Sequence, residues 1–460
     1  MTTLSPEPHV AVLSFPFASH PSLLFAFVKR LAKAAPRVKF TVFSSAKYNN
    51  SLFSNSSGTP SNIIPHDIHD GIAENYVFVG KPMEDVNLFL AVAADEFRRG
   101  VEKVTMTSDR KITCILCDAF LWFSCDLAQE IGVPWVPYWT AGACSLTAHI
   151  YTDLIRQTLG VEGIGGRMNE KLNFIPGFSD LTLGDLPAGV IFGMLEWPFF
   201  VMLYKMAQTL PRADALVLCS FEELDPDLIN NLKSKFKKIF SICPISLPSP
   251  PQSSVSDEYG CLPWLENHHP DSVAYIAFGT AAMLPPNEIN ALAEALEASA
   301  TPFLWSMKDD LKKHLPSGFL DRTSELGKIV AWAPQVQILS HAATGVFITH
   351  SGWGSVMESI AAGVPLICRP FMGDQTINTW MIENVYKIGV RVDGGVLTKN
   401  GAIDAIAQVL FQEKGKMFRK QSTAYKELAI KAVGADGSST ENLKGLIEML
   451  TTQLPNQECI

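Results

Sequence analysis

The chain has 460 residues, of which 47% are hydrophobic and 18% are charged. This length suits two domains of about 200 residues each better than one core, and the composition excludes a disordered chain. The formal net charge of −9 arises from 37 basic and 46 acidic residues without a cluster of Lys and Arg, so we expect no nucleic acid partner.

The start of the chain and its cysteines indicate a compartment. Residues 1–8 contain neither a basic segment nor an apolar core, which is not typical of a signal peptide. No run reaches the roughly 18 apolar residues that a membrane span needs. Nine cysteines, an odd number, include several in apolar runs, which indicates reduced core thiols. We therefore predict a cytoplasmic protein.

Strand-like runs alternate with helical stretches in both halves, which predicts an α/β fold with parallel sheets. A Pro- and Ser-rich linker is predicted at 244–257, between an N-terminal domain at 1–243 and a C-terminal domain at 258–437. Ser438 and Glu441 have the spacing of a capping box, so a final helix is expected at about 438–455. The strand-like runs lie at 9–15, 39–44, 112–117, 135–139, 272–278, 303–307, 329–332, 346–349 and 366–368.

Two titratable residues follow predicted strands of the first half. His20 comes just after the first strand, and Asp118 ends the third. The carboxyl ends of strands in a doubly wound sheet border the ligand crevice, so both side chains are expected at one edge. A carboxylate that is hydrogen-bonded to one imidazole nitrogen fixes the tautomer of the histidine and stabilises its protonated form. His20 is the candidate general base and Asp118 its partner, with a structural histidine as the alternative interpretation.

The segment from 332 to 375 presents groups suited to successive parts of a nucleotide sugar. Trp332 and Gln335 lie where a strand gives way to a turn, and the aromatic face suits a planar base. A short buried strand then leads through a glycine-containing turn to a helix, whose free N–H groups and dipole favour a diphosphate. His350 and Ser355 are further donors there, and Glu358 is placed to accept hydrogen bonds from a ribose.

The next apolar strand is followed by Asp374 and Gln375, which offer acceptors and an amide donor to a hexose. The lone Asp-x-Asp, at Asp225 and Asp227, is interpreted as a helix start rather than a cation site. Charge on a departing diphosphate would be stabilised by the helix N-terminus, His350 and Ser355. We therefore expect no metal and no bound cofactor.

The segment 332–375 resembles the signature box of plant secondary-product glycosyltransferases, which holds a uridine diphosphate (UDP) sugar. Segments around His20, Asp118, Trp139, Phe221 and Phe278 resemble plant flavonoid 3-O-glucosyltransferases, including anthocyanidin and flavonol forms. The likeness covers nearly the whole chain. It implies the GT-B fold, in which two doubly wound Rossmann-like domains face each other across a cleft and the last helix crosses back to the first domain.

The resemblance also implies roles for individual residues. His20 and Asp118 would perform an inverting transfer, with the UDP-sugar as co-substrate and a phenolic molecule as acceptor. The implied donor contacts are Thr140, Thr280, Trp332, Ala333, Gln335, His350, Trp353, Gly354, Ser355, Glu358, Asp374 and Gln375. The implied acceptor contacts are Ala18, Met83, Phe120, His149, Phe200 and Met372, whose aromatic faces suit a flat polyphenol.

The chain departs from the family pattern at several of these positions. Gly354 stands where the family usually has asparagine, so a side-chain amide near the diphosphate and sugar is missing. Ala18, Met83 and Met372 replace a hydroxyl residue, a glutamine and a phenylalanine that flavonoid enzymes often carry. A less polar and more pliable pocket is expected, which leaves a non-flavonoid acceptor open.

The expected donor is UDP-glucose, because glucose-using relatives commonly carry glutamine at Gln375, whereas galactose-using ones often have histidine. Gly354 keeps UDP-galactose, UDP-rhamnose and a pentose donor open. The alternative of another class is a catalytically silent nucleotide-sugar-binding protein. A nicotinamide-dependent dehydrogenase is disfavoured, since no G-x-G-x-x-G follows the first strand. The sequence does not determine the oligomeric state and is compatible with a monomer.

Overall fold

The computed structural model describes residues 7–54, 58–73, 75–79, 83–178, 180–245, 257–279 and 283–452. Within those ranges the chain forms two parallel sheets with flanking helices. The first sheet contains β1 (His9–Leu13), β2 (Lys39–Ser45), β3 (Ile63–Ile68), β4 (Cys114–Asp118), β5 (Trp135–Trp139), β6 (Leu216–Leu218) and β7 (Ile239–Ser241). The second contains β8 (Val273–Ala277), β9 (Phe303–Ser306), β10 (Gly327–Val330), β11 (Thr344–Thr349), β12 (Leu366–Cys368) and β13 (Gly389–Arg391).

Helices connect and cover the strands. In the first half they are α1 (His20–Ala34), α2 (Ala46–Ser54), α3 (Glu84–Thr107), α4 (Ser124–Ile131), α5 (Ala143–Ile150), α6 (Thr152–Leu159), α7 (Pro198–Thr209) and α8 (Pro226–Lys233). In the second half they are α9 (Cys261–Leu265), α10 (Pro286–Ser299), α11 (Phe319–Arg322), α12 (Gln335–Ser340), α13 (Trp353–Ala362), α14 (Gln375–Trp380), α15 (Lys399–Leu410), α16 (Glu413–Ala432) and α17 (Ser438–Thr451). None of these described helices has both the length and the apolarity of a membrane-spanning segment.

The two sheets share one strand order over six strands, and the first sheet has a seventh strand, β7, at its edge. The order runs β3-β2-β1-β4-β5-β6-β7 in the first and β10-β9-β8-β11-β12-β13 in the second. The direction of winding reverses between β1 and β4 and again between β8 and β11, and ligands of such sheets bind beside these reversals, outside the carboxyl ends of the strands. The predicted fold class, a pair of doubly wound Rossmann-like units, is confirmed.

The strands are buried on both faces, which explains their apolar sequences. Val10, Ala11, Val12 and Leu13 of β1 are at most 1% exposed, as expected for a parallel strand covered by helices on both sides. The predicted runs 135–139 and 366–368 coincide with β5 and β12. The predicted run 329–332 extends too far, since β10 ends at Val330 and Trp332 lies in the following loop.

The terminal helix lies against the first sheet. Ser439 Oγ donates to the carbonyl of Cys243 over 2.7 Å, and Asn442 donates to that of Ser241 over 3.3 Å. The predicted capping box is wrong, because the helix is preceded by Gly437 and Ser438 Oγ instead donates to Glu223. The predicted linker and domain boundaries remain predictions, since residues 246–256 lie outside the described ranges.

Polar contacts also join the two halves. The Arg391 guanidinium lies 3.0 Å from the carboxylate of Asp185. The Tyr386 hydroxyl donates to buried Asp225, at 2.8 and 2.9 Å from its two carboxylate oxygens. Asp225 directly precedes α8, so the predicted helix start at this acidic segment is confirmed. These contacts link the two halves of the chain.

Candidate active site

His20 and Asp118 meet where the winding of the first sheet reverses. Asp118 is the last residue of β4, and His20 is the first of α1, which follows β1. His20 Nδ1 lies 2.7 Å from Asp118 Oδ2, and the other carboxylate oxygen accepts the backbone N–H of Phe120 over 3.0 Å. The carboxylate is buried at 1% exposure, whereas the His20 side chain is 17% exposed. Nδ1 is thus occupied, and Nε2 is the nitrogen left for a substrate.

The surroundings of His20 favour its protonated form. Burial by itself lowers the pKa of His20, but the charge of Asp118 and its hydrogen bond outweigh burial, and the pKa is raised. Asp374, from the other half of the chain, adds to the rise. A histidine that gains a proton easily is suited to accept one from a hydroxyl. Because Asp374 affects the pKa of His20, the candidate base and the candidate sugar site lie close enough to interact electrostatically.

Aromatic rings surround the base. The His20 ring lies 4.6 Å from the Phe120 ring and 5.3 Å from that of Phe15, measured between centroids. The Phe120 ring also packs against the Phe199 ring, which in turn packs against the Phe200 ring. Phe15 is buried, and the three other phenylalanine rings are partly buried. Together they form an apolar wall beside the imidazole, which suits a flat aromatic acceptor.

The remaining residues expected at the acceptor lie in two environments. His149 is buried and packs edge-on against Trp139 at 5.8 Å, and burial lowers its pKa to about 4. Met372 is 60% exposed. Ala18 and Met83 both adopt left-handed backbone conformations, with φ of 52° and 53°. They therefore lie at sharp turns beside α1 and α3.

The second reversal point presents His350 and the start of α13. His350 follows β11, and its ring is enclosed by two glycines that have no room for a side chain. A Cβ on Gly279 would lie 2.9 Å from the ring, and one on Gly352 would lie 2.5 Å from Nε2. Burial lowers the pKa of His350 to about 4, so it is neutral at pH 7. It can donate one hydrogen bond to an anion beside the N-terminus of α13.

A hydrogen-bonded group joins three of the expected donor residues. Gln335 Nε2 donates to Glu358 over 2.7 Å and lies 3.2 Å from Ser355 Oγ. Gln335 Oε1 accepts the hydroxyl of Tyr275, a buried residue of β8, over 3.1 Å. Burial raises the pKa of Glu358, and the Gln335 hydrogen bond opposes that rise. Trp332, 49% exposed, has a free face in the preceding loop, and Ala333 beside it is buried.

Asp374 directly precedes α14, and Gln375 is the first residue of that helix. Asn378 donates to Asp374 Oδ2 over 2.9 Å and to the carbonyl of Ser351 over 3.0 Å, so it joins the loop after β12 to the loop after β11. Gln375 Oε1 accepts the backbone N–H groups of Phe371 and Met372, while its side-chain amide N–H groups have no partner within the described residues. Those N–H groups are available to a sugar hydroxyl.

The Trp353 side chain packs against the first half of the chain. Its indole Nε1 donates to the carbonyl of Cys219 over 2.6 Å, and its ring lies against Gly142, where a Cβ would approach within 2.9 Å. The indole is therefore buried against the first half of the chain. The indole is held there by the carbonyl of Cys219, which directly follows β6. Trp353 can therefore contact a donor only through its backbone.

Gly354 has open space where a side chain would start. A Cβ there would meet only Leu23, at 3.6 Å, which is ordinary van der Waals contact.

Thr140 Oγ1 lies 3.4 Å from His20 Nδ1, on the first half of the chain. Thr280 lies outside the described residues. No group of three or more His, Cys, Asp or Glu with metal-binding geometry occurs in the described part of the chain.

Sequence reasoning missed several residues that hold this site together. Asn378 has a signal, since it lies four residues after Asp374, the spacing at which helical side chains meet. Tyr275 has one too, because a hydroxyl in a buried strand needs a partner. Arg369 has none. It forms a buried ion pair with Glu288 of α10 at 2.9 Å and starts the loop that carries Met372 and Asp374.

Known proteins resemble this chain over almost its full length. Residues 262–431 match the family described as UDP-glucoronosyl and UDP-glucosyl transferase. An anthocyanidin 3-O-galactosyltransferase of Actinidia chinensis var. chinensis is 56% identical over 452 residues, which cover 98% of this chain and 99% of that protein. An anthocyanidin 3-O-glucosyltransferase of Vitis vinifera is 49% identical, with coverage of 98% and 99%.

The solved structures add the architecture. A crystal structure of UDP-glucose: anthocyanidin 3-O-glucosyltransferase in complex with UDP superposes with a TM-score of 0.90. It is 39% identical and covers 97% of this chain and 99% of that chain. Sequence identity over almost the full length and a shared two-sheet GT-B fold leave one assignment: the chain is an enzyme of the UDP-glycosyltransferase family.

Proposed function

We propose that this enzyme transfers a hexose from a UDP-hexose to the 3-hydroxyl of an anthocyanidin or flavonol, with inversion at the anomeric carbon. The observation that carries the proposal is the His20–Asp118 pair at 2.7 Å beside an aromatic wall. The relatives named as anthocyanidin 3-O-glycosyltransferases support the acceptor class. A cytoplasmic location remains a prediction from the sequence.

His20 is the proposed general base. Its Nδ1 is engaged by Asp118, so Nε2 accepts the proton of the acceptor hydroxyl. The acceptor oxygen forms a bond to the anomeric carbon while the bond from that carbon to the diphosphate breaks. UDP departs from the opposite face, and the configuration inverts. Asp118 stabilises the imidazolium that forms and holds its tautomer.

The donor is proposed to lie along the second half of the cleft. Trp332 would stack on the uracil, Glu358 would accept from the ribose, and the start of α13 with His350 and Ser355 would hold the diphosphate. Gln335 already donates to Glu358, which orients the carboxylate for ribose hydroxyls. Asp374 and Gln375 would contact the hexose.

One observation favours glucose as the transferred hexose, and another favours galactose. Gln375 favours glucose, with amide N–H groups that are unpaired within the described residues. Relatives at 56% identity are named galactosyltransferases, which favours galactose, the epimer that differs only at the 4-hydroxyl. Both donors must therefore be tested side by side.

The decisive assay uses two acceptors that differ by one hydroxyl. Kaempferol carries a 3-hydroxyl, and apigenin has the same rings and remaining hydroxyls without it. Incubation with UDP-glucose or UDP-galactose should give a kaempferol monohexoside, detected by mass spectrometry, and no product from apigenin. Equal products from both acceptors would overturn the 3-hydroxyl assignment. UDP binding with no product from any flavonoid or simpler phenol would favour a silent binding protein.

A further inference from the structure

Two buried thiols meet at the ends of neighbouring strands in the first sheet. β6 and β7 run parallel with Leu218 opposite Ser241, and Cys219 and Cys243 follow them. The two sulfur atoms are 2.8 Å apart, and the residues are 2% and 1% exposed. Thiols this close need only a small movement to reach the S–S bond length of about 2.05 Å.

A buried arginine and a buried tyrosine interact with the thiols. Arg30 Nη1 is buried and has no hydrogen-bond partner within the described part of the chain. Burial raises the pKa of Cys243, and the charge of Arg30 opposes that rise. The hydrogen bonds from Cys243 and Tyr138 lower the pKa of Cys219 against the effect of burial. A buried donor without a partner is costly, and a thiolate at this pair would offset that cost.

We propose that Cys219 and Cys243 are a redox-modification site that closes reversibly to an intramolecular disulfide with hydrogen peroxide as oxidant. The Cys219 thiol releases its proton, and the thiolate attacks one peroxide oxygen. The O–O bond breaks, the departing hydroxide takes up the released proton to form water, and a sulfenic acid remains on Cys219. The Cys243 sulfur then attacks the Cys219 sulfur, and the sulfenic hydroxyl leaves as water with the Cys243 proton. Two thiols and one peroxide give one disulfide and two waters.

The disulfide would act on contacts that hold the donor side of the enzyme. The carbonyl of Cys219 accepts the indole N–H of Trp353, which begins α13. The carbonyl of Cys243 accepts Ser439 Oγ of the terminal helix. A covalent link between the two cysteines therefore joins the backbone segments that anchor α13 and α17 to the first sheet. The oxidised enzyme should hold the start of α13 more firmly.

The test is a thiol map of the full-length protein. The reduced enzyme is exposed to hydrogen peroxide, alkylated in denaturant and digested with trypsin, which cuts at Lys233, Lys235, Lys237 and Lys238 and so separates the two cysteines. We expect two fewer alkylated thiols and a linked pair of peptides carrying Cys219 and Cys243, both reversed by dithiothreitol. Unlinked, fully alkylated Cys219 and Cys243 after peroxide would overturn the proposal.

Matched variants assign the effect. Cys243→Ala should abolish the linked peptide, whereas Cys125→Ser, which removes another buried thiol, should leave it. The wild-type map stands alone if Cys243→Ala does not fold. Hydrogen exchange near residue 353 should slow several-fold in the oxidised enzyme and recover on reduction. A complete Cys219–Cys243 link without that change would refute the coupling to α13.

Discussion

At the scale of single residues, catalysis is assigned to one hydrogen bond. Asp118 and His20 lie 2.7 Å apart, and Asp118 raises the pKa of His20 against the effect of burial. The base must be unprotonated to accept the hydroxyl proton, so kcat/KM should fall as the pH drops through the His20 pKa. The acidic limb of the pH profile thus reports on this pair.

Asp118→Asn should lower kcat by about 10²–10⁴-fold, because the ring loses its orienting carboxylate and its tautomer. The variant should also shift the acidic limb to lower pH, since burial then acts on His20 without the opposing charge. Steady-state rates measured across pH with a flavonol acceptor check both effects. An unchanged limb would separate Asp118 from the titration of the base.

Gly354→Asn should strengthen donor binding. Its Cβ would meet only Leu23 at 3.6 Å, and one new hydrogen bond of about 0.5–1.5 kcal/mol corresponds to about a two- to tenfold lower KM for the UDP-sugar. Gly354→Ala, which adds the Cβ without the amide, is the matched control and should leave KM unchanged. If both variants lower KM equally, helix propensity rather than the amide is responsible.

At the scale of elements, α14 joins two loops of the donor site. Asn378 Nδ2 donates to the Ser351 carbonyl and to Asp374. Ser351 has φ of 64°, a left-handed conformation that costs energy for a residue with a Cβ. Asn378 therefore holds a strained loop next to the proposed diphosphate site.

Asn378→Ala should raise KM for the UDP-sugar more than it lowers kcat, because a buried carbonyl and a carboxylate lose their donor at about 1–3 kcal/mol. Asn384→Ala is the matched control, since Asn384 also donates to a backbone carbonyl, that of Trp380, but lies outside the site. Donor titrations at saturating acceptor distinguish the two. Equal KM values in both variants would argue against the bridging role.

The sequence predicted continuous apolar strands better than strands with exposed polar residues or very few residues. The run 135–139 coincides with β5 because five apolar residues are bounded by proline and glycine-containing turns. The three-residue strands β6, β7 and β13 were missed, since three residues carry no periodicity, although β12, of the same length, was predicted. The six-residue strand β3 was also missed, because Pro65, His66 and Asp67 interrupt its apolar pattern. The capping box failed because Glu223, distant in sequence, competes for Ser438.

The candidate site was predictable where residues follow strands. The positions of His20 and Asp118 follow from doubly wound topology, since carboxyl ends of strands share an edge. The orientation of the Trp353 indole was not predictable, because it depends on a carbonyl 134 residues away in sequence. Contacts between the two halves of the chain depend on their packing, which no local pattern encodes.

At the scale of the whole molecule, a buried carboxylate lies where the two halves meet. Burial raises the pKa of Asp225 to about 7, and the Tyr386 hydrogen bond opposes that rise. The unfolded chain ionises this group near its ordinary pKa of about 3.9. The stability that neutral Asp225 contributes is therefore complete below about 3.9 and is lost as the pH rises through about 7.

Asp225→Asn should remove this loss and become increasingly stabilising, relative to the wild type, as the pH rises. Thermal unfolding at about pH 5 and about pH 8 measures it: the difference in Tm between variant and wild type should be larger at the higher pH. Asp227→Asn, an exposed neighbour two residues along, is the control and should show no such trend. A pH-independent difference would mean that Asp225 does not titrate in this range.

The whole enzyme brings the base and the donor site to one cleft, and a single comparison tests that most directly. His20→Ala and the control His269→Ala, an exposed histidine, are assayed beside the wild type for hexoside formation and UDP affinity. We expect His20→Ala to lower kcat by about 10²–10⁴-fold with an unchanged Kd for UDP, whereas His269→Ala should change neither. Full product formation by His20→Ala would contradict the assignment of His20 as the base.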